Sequence, residues 1–83
     1  MYTAVFSEEF KRQLVKIKRK NPPLYERLEK KIRSLLLDPS NRKHLRNILK
    51  GQQRVHLGPF VLRFNVEREI VYFITIEHHD DVY

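Results

Sequence analysis

Arg54 and His56 stand two residues apart in the segment RVHLGPFVLRF, residues 54–64. In an extended chain that spacing puts a permanent cation and a titratable imidazole on one face of a sheet, and it sends Val55 and Leu57 to the other face, where a core can take them. A cation beside an imidazole is a start for chemistry on a phosphate. Arg63 follows in the next alternating segment, and His79 and Tyr83 lie in the C-terminal run Glu77-His78-His79-Asp80-Asp81-Val82-Tyr83. Metal-independent cleavage of RNA needs a group to take the ribose 2′-OH proton, a cation to stabilise charge on the phosphate and an acid to protonate the leaving oxygen. Histidine titrates near neutrality, so one neutral and one protonated copy can share these duties. His56 is the candidate base or phosphate ligand and His79 the candidate acid, the two labels being exchangeable. Arg54 and Arg63 would carry phosphate charge, and Tyr83 would stack a base or orient the substrate. Each also has an ordinary reading: an exposed strand histidine is commonly a surface residue, Arg63 has Glu67 and Glu69 within reach along its hairpin, and Tyr83 can cover a core edge.

The charge distribution points the same way. Seventeen Lys and Arg against ten Asp and Glu give a formal charge of +7 on 83 residues, an excess that suits a polyanionic partner. Between Asp38 and Glu67 there is no acidic residue, while Arg42, Lys43, Arg46, Lys50, Arg54 and Arg63 fall inside that window together with His44 and His56. Arg42, Lys43, Arg46 and Lys50 are therefore candidate RNA contacts. A second group, Lys16, Lys18, Arg19 and Lys20, closes a predicted helix, where cations suit the negative end of the dipole. The chain contains no cysteine, which excludes disulfides and thiolate metal sites. His78, His79, Asp80 and Asp81 are adjacent on an extended segment, so their side chains point apart and make a poor ligand set. No metal and no cofactor are expected. No apolar run approaches the ~18 residues that span a bilayer, and the N-terminus lacks the basic-then-apolar order of a signal peptide, so a cytoplasmic protein with no membrane partner is expected.

The elements that must position these residues read as a single domain over residues 1–83, since so short a chain cannot supply two cores. Tyr2 to Phe6 is a short β-branched and aromatic strand. Ser7 is a good N-cap for a helix running to Lys20, with Glu8 and Glu9 in its first turn and Phe10, Leu14 and Ile17 at helical spacing. Asn21-Pro22-Pro23 ends that helix and starts another, whose stripe is Leu24, Leu28, Ile32, Leu35 and Leu36 and which stops at Asp38-Pro39. Residues 40–51 fit either a helical turn or a structured basic loop. Gln52 to Leu57 is a strand, Gly58-Pro59 turns the chain, and Phe60, Leu62, Phe64 and Val66 alternate with Val61, Arg63, Asn65 and Glu67 on the next strand. Glu67-Arg68-Glu69 makes a hairpin tip of open turn type. Ile70 to Ile76 is apolar on both faces and reads as a central strand buried on both sides, followed by a polar tail. The order is β-α-α-β-β-β, an α+β fold in which a two-helix antiparallel hairpin packs on a small, mainly antiparallel twisted sheet. The helices cover one face and leave the other to Arg54, His56 and the C-terminal residues.

This order of elements resembles the RelE/ParE superfamily, the toxin halves of type II toxin-antitoxin pairs. The resemblance covers essentially the whole chain and rests on the opening strand, the two helices, Lys50-Gly51, the segment Arg54-Val55-His56-Leu57-Gly58-Pro59-Phe60, the following hairpin and the terminal His79-Asp80-Asp81-Val82-Tyr83. It implies a ribosome-dependent endoribonuclease that cuts translated messenger RNA on the concave sheet face and so inhibits translation. It further implies a RelB-like antitoxin, acidic with helical segments, and a toxin-antitoxin complex that can be a heterotetramer. Where RelE-like toxins have two lysines on the strand before the turn, this chain has Arg54 and His56. Where they have an arginine after the aromatic residue that follows the turn, it has Val61, with Arg63 two residues on. His56 with His79 is closer to the histidine-using YafQ-type branch. The same resemblance also covers ParE-like inhibitors of DNA gyrase and a catalytically weakened RNA-binding relative.

Overall fold

Capping and turn chemistry set the first half of the fold. The computed structural model describes residues 1–39 and 53–78. Strand β1 (Thr3–Phe6) leads into helix α1 (Glu8–Lys20) through Ser7, whose Oγ accepts a hydrogen bond from the Phe10 N–H at 2.9 Å. Asn21 ends one helix and begins the next: its N–H donates to the Ile17 carbonyl at 2.8 Å, and its Oδ1 accepts from the Leu24 N–H at 3.3 Å. Pro22 then occupies the first position of helix α2 (Pro22–Leu37), where no N–H is needed. Strands β2 (Gln53–Leu57), β3 (Phe60–Glu67) and β4 (Ile70–His78) complete the expected β-α-α-β-β-β order.

The sheet runs β1-β4-β3-β2, with β1 parallel to β4 and the other pairs antiparallel. Both helices cover one of its faces. Phe10, Leu24, Leu28, Ile32 and Leu35 from the helices meet Val55, Leu57, Leu62, Phe64, Val71, Phe73 and Ile76 from the strands in one cluster. Phe73 lies at its centre, with ring centroids 5.6 Å from Phe6, 5.9 Å from Phe10 and 6.2 Å from Phe64.

Two features of β4 differ from expectation. It runs on to His78, so Glu77 and His78 belong to the sheet rather than to a polar tail. It is interior, between β1 and β3, yet its helix-side residues are buried while Ile70, Tyr72 and Ile74 on the way are only half-buried. The register explains the pattern: Phe64 pairs with Phe73 and Arg63 with Thr75, leaving Ile74 as an extra residue in a bulge. Strict alternation from Phe73 would turn Thr75 and Glu77 into the helix-side core and Ile76 away from it. The bulge reverses this, burying Ile76 under the helices and sending Thr75 and Glu77 to the far face.

Helix α1 holds that bulge. β1 ends at Phe6, opposite Phe73, so beyond it the outer edge of β4 has no strand partner among the described residues. The Ser7 Oγ donates to the Ile74 carbonyl at 2.6 Å and the Ser7 N–H to the Phe73 carbonyl at 3.0 Å. Gln13 then acts as a surrogate strand, its Nε2 donating to the Ile76 carbonyl and its Oε1 accepting from the Ile76 N–H, both at 2.9 Å.

Candidate functional site

The face of the sheet away from the helices carries a small grid of side chains fixed by strand register. One row is Arg54, Arg63 and Thr75, and the next is His56, Val61 and Glu77, each row crossing β2, β3 and β4. With strands ~4.8 Å apart, each row spans roughly 10 Å. Arg54 and His56 are exposed on β2, the sheet's edge strand. Arg63 is half-buried beside Arg54, and its Nε lies 3.2 Å from the Glu77 Oε1, a diagonal ion pair between the two rows. Both of those atoms are shielded from solvent.

Two members of the grid are buried. Val61 is fully buried although it lies outside the helix-side cluster, and Thr75 is buried with its Oγ1 lacking a hydrogen-bond partner among the described residues. A buried hydroxyl without a partner is costly, and such atoms are often found where a ligand or another chain segment completes the bonding. The arrangement therefore offers an exposed cation and imidazole on β2 next to a pinned arginine–carboxylate pair that joins β3 to β4, with Val61 and Thr75 buried beside it.

Three of the candidates from the sequence come together here: Arg54, His56 and Arg63 share one face as the alternation predicts. Arg63 pairs with Glu77 and not along the hairpin with Glu67 or Glu69, because the bulge brings Glu77 onto its face. Glu77 is the residue that sequence reasoning passed over. The sequence carries no signal for it, because Ile70 to Ile76 is apolar on both faces and only the register shift opposite Arg63 and Phe64 turns Glu77 to the far side. His78 goes the other way, edge-on to Phe60 with centroids 5.3 Å apart, and does not join His56. His79, Tyr83, Arg42, Lys43, Arg46 and Lys50 lie outside the described residues. Among the described residues no group of three or more His, Cys, Asp or Glu could hold a metal ion, and no helix is long and apolar enough to cross a membrane.

A family model described as the ParE toxin of the type II toxin-antitoxin system, parDE, matches residues 4–83. The chain belongs to the ParE toxin family. It is thus a toxin of type II toxin-antitoxin systems within the RelE/ParE superfamily. No curated protein matches it in sequence. Its fold is that of the toxin in the crystal structure of the intact E. coli RelBE toxin-antitoxin complex, with a TM-score of 0.74, 18% identity, and 94% of this chain and 96% of that one covered. The archaeal RelE-RelB complex from Pyrococcus horikoshii OT3 is similar at a TM-score of 0.74 and 15% identity, covering 94% of both chains. YafQ from E. coli strain BL21(DE3) follows at a TM-score of 0.57 and 15% identity, covering 100% of this toxin and 99% of that chain. At these identities the likeness is one of fold, and the site must be argued from its own residues.

Proposed function

We propose that this toxin is a ribosome-dependent, metal-independent endoribonuclease acting on translated messenger RNA in the cytoplasm. The observation that supports it is the register of the far sheet face, where exposed Arg54 and His56 on the edge strand stand across from Arg63 and Glu77. His56 takes the 2′-OH proton, the 2′ oxygen attacks the adjacent phosphorus, and the bond to the 5′ oxygen breaks. That leaving oxygen receives a proton from His79, and a 2′,3′-cyclic phosphate remains. Arg54 and Arg63 offset the charge that builds on the phosphate oxygens, and Tyr83 orients the base. Arg42, Lys43, Arg46 and Lys50 contact RNA outside the reacting group. A RelB-like antitoxin, acidic and helical, silences the toxin in a complex that can be heterotetrameric, by analogy with the RelE-RelB complexes of similar fold.

The test is to add purified, antitoxin-free toxin to programmed ribosomes and map messenger-RNA ends by primer extension. New ends within the occupied codon are expected, and intact messenger RNA with folded toxin overturns the proposal. A second reading, inhibition of DNA gyrase, draws on the ParE family match and on Val61, which puts an apolar residue rather than a cation between His56 and Glu77. A supercoiling assay run beside the ribosome assay decides between them.

A further inference from the structure

A second basic surface lies on the other side of the edge strand. Arg27, Lys30, Lys31 and Ser34 of α2, together with Leu57 of β2, line an open cleft of about 320 Å³. Arg27 and Lys31 are one helical turn apart, with Lys30 beside them, so three cationic residues fall along a single helix face. Among the described residues none that lines the cleft is acidic, in contrast to the far sheet face, where Glu77 offsets Arg63. The Arg27 guanidinium packs over the turn after β2: a Cβ added to Gly58, which has φ +61°, would sit 3.4 Å from the Arg27 Nη1. Glycine there serves both the left-handed backbone and the close approach of the guanidinium.

The two basic surfaces are one residue apart in sequence. Leu57 lines the cleft and His56 points from the opposite face of the same strand, and beyond β2 the sheet has no further strand among the described residues. We infer that the α2 cleft binds the phosphate backbone of RNA flanking the reaction site, so that one strand runs from Arg27 and Lys30 around the β2 edge to Arg54 and His56. An extended single strand can follow such a turn. A helical acidic peptide of ~10 Å diameter cannot lie in the cleft and reach the far face as well.

This inference rests on the RNA-directed reading of the toxin and extends it. Binding is measured by fluorescence anisotropy with a single-stranded tetranucleotide and a single-stranded dodecanucleotide, for the wild-type toxin, for Arg27→Gln/Lys30→Gln and Arg27→Glu/Lys30→Glu, and for Arg54→Ala. The α2 substitutions should weaken dodecanucleotide binding about tenfold or more. They should make its salt dependence shallower by roughly 1.4 in log–log slope, at ~0.7 per single-strand phosphate contact, with tetranucleotide binding unchanged. Arg54→Ala should weaken both lengths. Equal loss for both lengths, or no loss with the neutral and the reversed variants, overturns the inference. So does loss of binding to an acidic peptide with RNA binding intact, which would make the cleft a protein site. If the dodecanucleotide responds to α2 but neither length responds to Arg54→Ala, the cleft stands and the far-face reaction site falls. Wild-type toxin that binds neither length overturns the inference, while cleavage on programmed ribosomes separately decides the far-face reaction.

Discussion

The two faces of the sheet are built from the same strands and held by different physics. On the helix side, Phe73, Phe64, Leu62 and Ile76 are buried with the helices' Phe10, Leu28 and Leu35, and apolar contact accounts for the stability. On the far side, exposed Arg54 and His56 flank buried Val61 and Thr75 and an Arg63–Glu77 ion pair. Polar groups concentrated on one face, with one of them buried and unsatisfied, are what a fold tolerates where the face has another use. The contrast can be measured residue by residue.

The largest expected effect is in the core. Phe73→Ala should cost about 3–5 kcal/mol by urea unfolding, a large share of the roughly 5–15 kcal/mol that holds a small domain folded. Val61→Ala, equally buried but on the far face, removes two methyl groups and should cost about 1.6 kcal/mol at ~0.8 per carbon. If the two costs are alike, the far face is a second core and the contrast fails.

The next effect sits where the faces are joined. Gln13→Leu removes both side-chain hydrogen bonds to the Ile76 backbone and should cost about 2 kcal/mol, because a partly buried N–H and C=O lose their partners. Ile76 precedes Glu77, so the same variant should also loosen the Arg63–Glu77 pair, read as faster amide exchange at residues 75–78 than at 71–73. Uniform exchange along β4 would show that α1 does not hold the end of the strand.

Smaller again is Glu77→Gln. The pair is partly exposed, so the stability change should stay under about 1 kcal/mol, and a double-mutant cycle with Arg63→Gln isolates the coupling. RNA affinity should rise, since a carboxylate that repels phosphate is gone. Unchanged affinity would place Arg63 outside the RNA contact.

Much of this was legible from local chemistry. Ser7, Asn21 and Pro22 announce the helix boundaries, because each solves the problem of unpaired backbone groups at a helix end. The alternation of β2 and β3 fixes which side Arg54, His56 and Arg63 take. The bulge at Ile74 was not legible, since Ile70 to Ile76 is apolar at every position but Thr75 and offers no period to break. Only the tertiary bonds from Ser7 and Gln13 reveal it, and with it the place of Glu77. The Arg27–Gly58 contact was hidden for a related reason: it joins residues far apart in sequence, and Gly58 reads as an ordinary turn residue until α2 is packed beside it.

The smallest effect on stability should accompany a large one on function. His56 is exposed on an edge strand, and its removal leaves Val55 and Leu57 seated under the helices. His56→Ala should therefore shift unfolding by no more than about 0.5 kcal/mol. If its imidazole moves the 2′-OH proton, messenger-RNA cleavage on ribosomes should fall about a hundredfold or more, the range in which general acid–base groups contribute. His56→Gln keeps a hydrogen-bonding side chain of similar size without a titrating group, so it should be as inactive as the alanine variant if proton transfer is the role. Activity retained in the glutamine variant and lost in the alanine variant would make His56 a phosphate ligand instead. A stability loss above a kilocalorie would mean that the far face helps to hold the sheet, and the division of labour between the two faces would have to be redrawn.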